Sequence, residues 1–299
     1  SYGLDHVVGT TILGGIFYVL FALLIKFQPK VLKIFTPYIL NLAVFMIAVN
    51  LIGTGVGLVM AAPITGIVTI IGIALFNQFK RTKQFAFPLG ILAGTLVHGL
   101  MYGLTSTVSG AFIPTFVSPA FNTTTFVASL IFFALATEAL GDSKLAADVT
   151  GNKYEPDKVI LGNGVASIVA GLFGGMSVTT YSESCAYVRA TGFAHPLSIV
   201  VAGILFIIMS FIPVVNYVIG FIPGAALAGM LLYLFSLVAM NKISETHAKD
   251  DKEMLVGILG LAAFFLAPQL IPGVSQIAVG MITMIVTHLV LQGIGKLKK

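Results

Sequence analysis

Ten apolar runs, most of them close to twenty residues long, constrain this chain more than any other feature of its sequence. They lie near 7–25, 38–59, 62–79, 85–103, 123–142, 159–174, 196–212, 223–240, 254–268 and 274–294. About 20 apolar residues is the length at which an α-helix crosses the hydrocarbon core of a bilayer. Inside that core the backbone must satisfy its own hydrogen bonds, and a helix does so within each segment. The composition agrees, with 58% of the 299 residues hydrophobic and 9% charged, against roughly a quarter charged in a soluble domain. So few charges would leave a water-facing surface of this size uncovered. The expectation is an all-α polytopic membrane protein in contact with lipid.

A shorter helical piece near 182–190 falls between the sixth and seventh runs, and the basic residues decide whether it crosses. Counted as a crossing, it brings the total to eleven segments. All 16 Lys and Arg then follow odd-numbered segments. Lys26, Lys30 and Lys33 follow the first, Lys80, Arg81 and Lys83 the third, and Lys144, Lys153 and Lys158 the fifth. Arg189 follows the short seventh, Lys242, Lys249 and Lys252 the ninth, and Lys296, Lys298 and Lys299 end the chain. One side therefore carries every basic residue, and the positive-inside rule makes it cytoplasmic. The expected topology places Ser1 outside and the C-terminus in the cytoplasm, in a plasma (cytoplasmic) membrane. The opposite loops, near 103–125 and 212–223, are rich in Gly, Pro, Ser and Thr. The chain opens at Ser1 with no signal-like segment before its first run, and reads as a processed, truncated or partial product.

Several function classes lose support at this stage. The net charge of +5 is spread in short clusters between apolar runs, without the stripe or aromatic interleaving of a nucleic-acid surface. The single Cys185 excludes an intrachain disulfide framework and reads as packing. No Cys/His cluster has metal spacing, so neither a metal nor a cofactor is expected. No phosphate-cradling Gly motif is present, and no Ser-His-Asp arrangement can be inferred, so an enzyme has no positive support. His98 and His288 read as hydrogen-bonded packing residues within apolar runs.

Two stretches echo one another. Gly14-Gly15-Ile16, an apolar run and Ile34-Phe35-Thr36-Pro37 lead into one helix. Gly203-Ile204, an apolar run and Gly220-Phe221-Ile222-Pro223 lead into another. By the span count the copies have opposite orientations, and inverted repeats are a common plan of secondary transporters.

Three acidic residues stand where acid is costly. Glu138, Asp142 and Glu183 lie within apolar segments, and a carboxylate at the bilayer centre costs at least about 2.5–3.5 kcal/mol. Such groups are expected to face protein or a wet cavity. Glu138 and Asp142 are four apart and share a helical face, so their charges repel and one of them is a candidate for holding a proton. The rival role for Asp142 is local, beside Lys144 at a helix end. Glu183 follows Gly174-Gly175, which break the preceding helix, and Ser177-Val-Thr-Thr-Tyr181, which favours extended backbone. Ser182 or Thr180 is placed to cap a new half-helix within the membrane. Non-helical backbone at that depth lines a cavity or is buried in protein, and its free amides can donate to a ligand. Two acidic acceptors facing a broken helix suit a planar solute with adjacent N–H and C=O groups, stacked on Tyr181 or Phe133.

These residues resemble a known family. Glu138-Ala-Leu-Gly-Asp142 and Gly171-Leu-Phe-Gly-Gly-Met-Ser-Val-Thr-Thr-Tyr-Ser-Glu183 look like the nucleobase–cation symporter-2, or nucleobase–ascorbate transporter, family of uracil and xanthine permeases. The resemblance runs through the chain and is most specific in 136–192. It implies an incomplete 7+7 inverted-repeat fold lacking the first three of fourteen segments, with a broken helix near 175–190. It implies a core remnant at 1–35, gate helices at 36–122, a core at 123–218 and further gate helices at 219–299. It implies import of a nucleobase, uracil or a purine such as xanthine, coupled to H+ or Na+. By resemblance Glu138 and Glu183 hold the base, Ser182 offers it a backbone amide, Tyr181 and Thr180 complete the substrate set, and Asp142 is the proton-coupling group. Members are often dimers, so a homodimer is the oligomer the resemblance implies. The chain departs from the pattern at Glu183-Ser-Cys-Ala186 and at Val178, where Asn is usual. Its eighth segment looks purine-type and its tenth uracil-type, which leaves the base open. The rivals are an anion carrier of the related sulfate-permease architecture and a non-transporting fragment.

Overall fold

The computed structural model describes residues 3–106, 116–180, 184, 195, 197–271 and 274–297. Twelve α-helices run through them. In chain order these are α1 (Leu4–Phe27), α2 (Pro37–Val59), α3 (Pro63–Gln78), α4 (Ala86–Tyr102), α5 (Thr123–Ser129), α6 (Ile131–Thr150) and α7 (Pro156–Leu172). They continue as α8 (Leu197–Ser210), α9 (Pro213–Ile219), α10 (Gly224–Glu245), α11 (Asp251–Leu270) and α12 (Gln276–Leu297). Among the described residues there is no β-strand. Six helices there are long and apolar enough to cross a membrane, and α8 with α9 is a bent apolar pair, a seventh span if the two count as one.

Every apolar run in the described residues is helical, but one run and one expected loop differ from their outlines. The run at 123–142 is two helices. Asn122 starts α5 with a reciprocal cap, its side chain accepting from the Thr125 amide at 3.0 Å while its own N–H donates to Thr125 Oγ1 at 2.9 Å. The chain then breaks at Leu130, and α6 continues to Thr150, eight residues past Asp142. Gly151, at φ 71°, ends it in the left-handed region that favours glycine. The rival reading of Asp142 as a helix-end residue fails: residues 142–144 lie within the continuous helix α6. The loop expected at 212–223 contains α9, which Pro213 starts at its first position. α9 is bent by 97° from α8, and the Asn216 side chain donates to the Ser210 carbonyl at 2.6 Å, satisfying a group freed at the break.

The chain forms two compact units. The first gathers α1, the start of α2, α5 to α7, α11 and α12. α1 buries a residue on nearly every turn, including Val8, Ile12, Gly15, Tyr18, Ala22 and Ile25, and lies along α7. Their backbones touch: a Cβ at Gly164 would stand 2.9 Å from the Gly15 carbonyl oxygen. Tyr18, Phe21, Phe35, Phe132, Ala136, Ala139 and Ile160 form the apolar core around them. α11 pairs with α12 in the same way, and a Cβ at Gly280 would stand 3.0 Å from the Phe264 side chain.

The second unit holds the rest of α2 with α3, α4 and α8 to α10. Here α3 meets α4 closely, and a Cβ at Gly72 would stand 3.2 Å from the Gly90 Cα. His98 is hydrogen-bonded as its sequence context suggests, through Nδ1 and Thr65 Oγ1 at 2.9 Å. α8 buries none of its residues, and its exposed Ile, Leu, Val and Phe side chains are of the kind that lipid solvates.

Candidate functional site

The site grows from the C-terminal end of α7 in the first unit. Phe173 and Gly174 close the helix, and Gly174, at φ 74°, turns the chain out of it. Residues 175–180 are neither helix nor strand. The β-favouring residues 177–180 do not join a ladder among the described residues. A side chain satisfies the backbone instead. Ser167, wholly buried on α7, donates its hydroxyl to the Val178 carbonyl at 3.1 Å and accepts from the Val178 amide at 2.9 Å. One hydroxyl thus does what a neighbouring strand would do for that residue, which removes the need for a partner strand.

Tyr18 of α1 fixes the next residue. It is fully buried, and its hydroxyl donates to Thr179 Oγ1 at 3.2 Å. Its ring meets Phe132 of α6 edge-on, with centroids 5.5 Å apart. Tyr18 therefore touches both the extended segment and α6, the helix that carries two of the expected acidic residues. Thr180 follows, and its hydroxyl is buried with no hydrogen-bond partner.

On α6, Asp142 is 6% exposed and Ser143 beside it 2%. The Ser143 hydroxyl donates to the Ala139 carbonyl at 2.6 Å, leaving the α6 backbone intact. Glu138 lies one turn before Asp142 in the same continuous helix. Its side chain, and those of Phe133 and Lys144, lie outside the described residues. So do Tyr181, Ser182 and Glu183. Of the six expected site residues, the structure describes Asp142 and Thr180 as buried groups of the first unit.

Sequence reasoning missed three contributors: Tyr18, Asn163 and Ser167. Asn163 is 7% exposed, and its Nδ2 has no hydrogen-bond partner. The signal was available in outline. Asn163, Ser167 and Gly171 recur at every fourth position of α7, so a polar-and-small stripe runs down an otherwise apolar helix. Such stripes face protein when the segment lies in lipid. Two surface hollows, of about 330 and 350 Å³, open elsewhere, at Asp250–His288–Gln292 and at Leu13–Asn122–Phe126, and no expected site residue lines either. Among the described residues, no group of three His, Cys, Asp or Glu side chains is placed to hold a metal ion.

Comparison with known proteins follows the same lines. A sequence profile described as "Permease family" matches residues 1–267. The nucleobase transporter PlUacP of Paenibacillus larvae is 24% identical over 284 residues, covering 84% of this chain and 62% of its own. The uric acid permease PucJ of Bacillus subtilis is 23% identical over 281 residues, again 84% and 62%. A xanthine permease of the same bacterium is 22% identical over 316 residues, covering 98% and 72%. The chain thus spans under two thirds of the length of the first two. Among solved structures, the transmembrane domain of the cyanobacterial bicarbonate transporter BicA aligns with a TM-score of 0.61 at 15% identity, over 96% of this chain and 77% of that one. SLC26A9 aligns with a TM-score of 0.68 at 12% identity, over 97% and 51%. At those identities the likeness is one of fold.

Proposed function

Because the chain belongs to this permease family, and is by its helices an integral membrane protein, we propose that it serves a secondary transporter importing a nucleobase, uracil or a purine such as xanthine. Glu138 and Glu183 hold the base by accepting from its N–H groups. Ser182 offers a backbone amide, Tyr181 stacks on the ring, and Thr180 adds a hydroxyl. Asp142 takes the proton that couples transport to the H+ gradient. Segments 1–35 and 123–218 act as the core that holds the base, and 36–122 and 219–299 as the gate it moves against, with the C-terminus cytoplasmic.

One observation carries this reading. In the first unit, a half-exposed non-helical segment is pinned by the buried Ser167 and Tyr18 and ends in a buried hydroxyl, Thr180, without a partner. Backbone of that kind at membrane depth is tolerated where it lines a cavity or is buried in protein, and Glu183 stands three residues further on. The chemistry offered is acceptor-rich, which matches the N–H edge of a base and disfavours an anion. The names of the sequence relatives, among them uric acid and xanthine permeases, support the same substrate class.

The test is a thermal-shift screen of uracil, xanthine, urate, guanine and adenine on the full-length protein, repeated with Glu183→Gln. At least one base is expected to raise the Tm, and the variant to lose the shift. A protein that no base stabilises, and that carries chloride or sulfate indifferently to bases, would contradict the reading.

A further inference from the structure

We propose that Asn163 reads the substrate: its side-chain amide donates to a carbonyl oxygen of the base, beside the hydroxyl of Thr180. The inference rests on the carrier reading above and adds a residue that this reading does not contain.

Two buried polar groups in the first unit lack partners, Asn163 Nδ2 and Thr180 Oγ1. A buried donor left unpaired costs about 1–3 kcal/mol, and most buried polar groups in proteins are bonded. The register of the extended segment on α7 brings these two to one level. Gly174 N–H donates to the Gly171 carbonyl at 3.0 Å, Gly175 N–H to that of Ala170 at 2.7 Å, and Val178 N–H to Ser167 Oγ at 2.9 Å. Later residues of the segment meet earlier residues of the helix, so the chain doubles back along α7. From Val178 to Thr180 is two extended residues, about 6.6 Å. From Ser167 back to Asn163 is four helical residues, about 6 Å. These two rises put Thr180 and Asn163 at about the same height along α7.

A second path agrees. The Tyr18 hydroxyl donates to Thr179, and a Cβ at Gly164 would stand 3.0 Å from Tyr18 Cβ. Thr179 and Gly164 are the chain neighbours of the two unpartnered residues, and Tyr18 joins them.

The chemistry fits the gap in the proposed site. Ionised carboxylates only accept, so Glu138 and Glu183 suit the N–H groups of a base and repel its oxo groups. An oxo-base needs donors as well. The Asn163 amide supplies one, and the Thr180 hydroxyl can supply another. Adenine, which has no carbonyl, offers this amide only ring nitrogens and an amino group.

The experiment is a cycle of equilibrium binding in lipid bilayers, using the full-length protein and Asn163→Leu. The probes are uracil with 2-thiouracil and 4-thiouracil, and xanthine with 2-thioxanthine and 6-thioxanthine. Sulfur accepts hydrogen bonds poorly, so one thio-analogue of the bound base is expected to bind the unaltered protein about tenfold more weakly than its oxo parent. Asn163→Leu should lose about the same factor for the oxo-base and show no further loss for that analogue. Asn163→Met, similar in length but without a donor, guards against misfolding of the leucine variant and should also lose the oxo–thio difference. An undiminished affinity for the oxo-base in either variant, or a thio penalty that persists in both, overturns this inference alone. Absence of base binding by the unaltered protein overturns the carrier reading and this inference with it.

Discussion

Ser167 holds Val178 through both functions of one hydroxyl, and Tyr18 holds Thr179 through its ring-borne O–H. Both contacts are about geometry at the proposed site more than about global stability. Tyr18→Phe keeps the edge-on contact with Phe132 and removes the hydrogen bond, a loss of about 0.5–1.5 kcal/mol. It should lower base affinity several-fold in an equilibrium binding assay with little change of Tm. Ser167→Ala leaves both backbone groups of Val178 without their buried partner and should cost more, about 1–3 kcal/mol, seen as a lower Tm together with weaker binding. Equal affinity in both variants would show that the segment keeps its shape without them. The acidic residues were legible in the sequence because charge inside an apolar run is expensive and therefore conspicuous. Asn163 and Ser167 were legible only as a polar-and-small stripe on α7, and Tyr18 not at all, since a neutral polar side chain in an apolar run costs far less than a charge. Their roles depend on where the chain goes after Gly174, a turn whose direction the sequence does not state.

At the scale of the helix, close backbone approach is the organising feature. Gly164 and Gly15 let α7 and α1 meet, and the space at Gly164 is bounded by the Gly15 carbonyl and Tyr18. Gly164→Val should push the two helices apart and cost about 1–3 kcal/mol or more, read as a fall in Tm in detergent. Gly162, two residues away, has nothing within 4 Å of its Cβ position, so Gly162→Ala should leave the Tm unchanged or raise it, since alanine is the better helix former by up to about 1 kcal/mol. If both substitutions behaved alike, packing at this crossing would not be what holds α1 to α7. Helix positions were legible from the length of each apolar run, because lipid leaves the backbone few other choices. Helix ends were less so. α6 outlasts its apolar run by eight residues, because a helix that has left the apolar stretch can continue on polar side chains that hydropathy does not register. α9 was hidden because its seven residues are flanked by proline and glycine, which read equally well as a loop.

For the molecule as a whole, the basic residues set an expected sidedness that a labelling experiment reads directly. In a Cys185→Ala background, Lys249→Cys should react with a membrane-impermeant maleimide only from the cytoplasmic face, and Ser118→Cys only from the opposite one. The reverse pattern would invert the topology and the direction of transport proposed here. Membership of the permease family and the fold shared with BicA and SLC26A9 agree with the all-α transporter that the apolar runs imply. That fold accommodates more than one kind of cargo, so the choice of a base over an anion falls to the residues of the site. The most direct measurement is the affinity of the full-length protein for its best-bound base in four forms: unaltered, Glu138→Gln, Glu183→Gln and the double variant. If the two carboxylates share one base, each single change should weaken binding at least about tenfold, and the double change should cost clearly less than both losses combined. Binding that survives either single change undiminished would contradict the account.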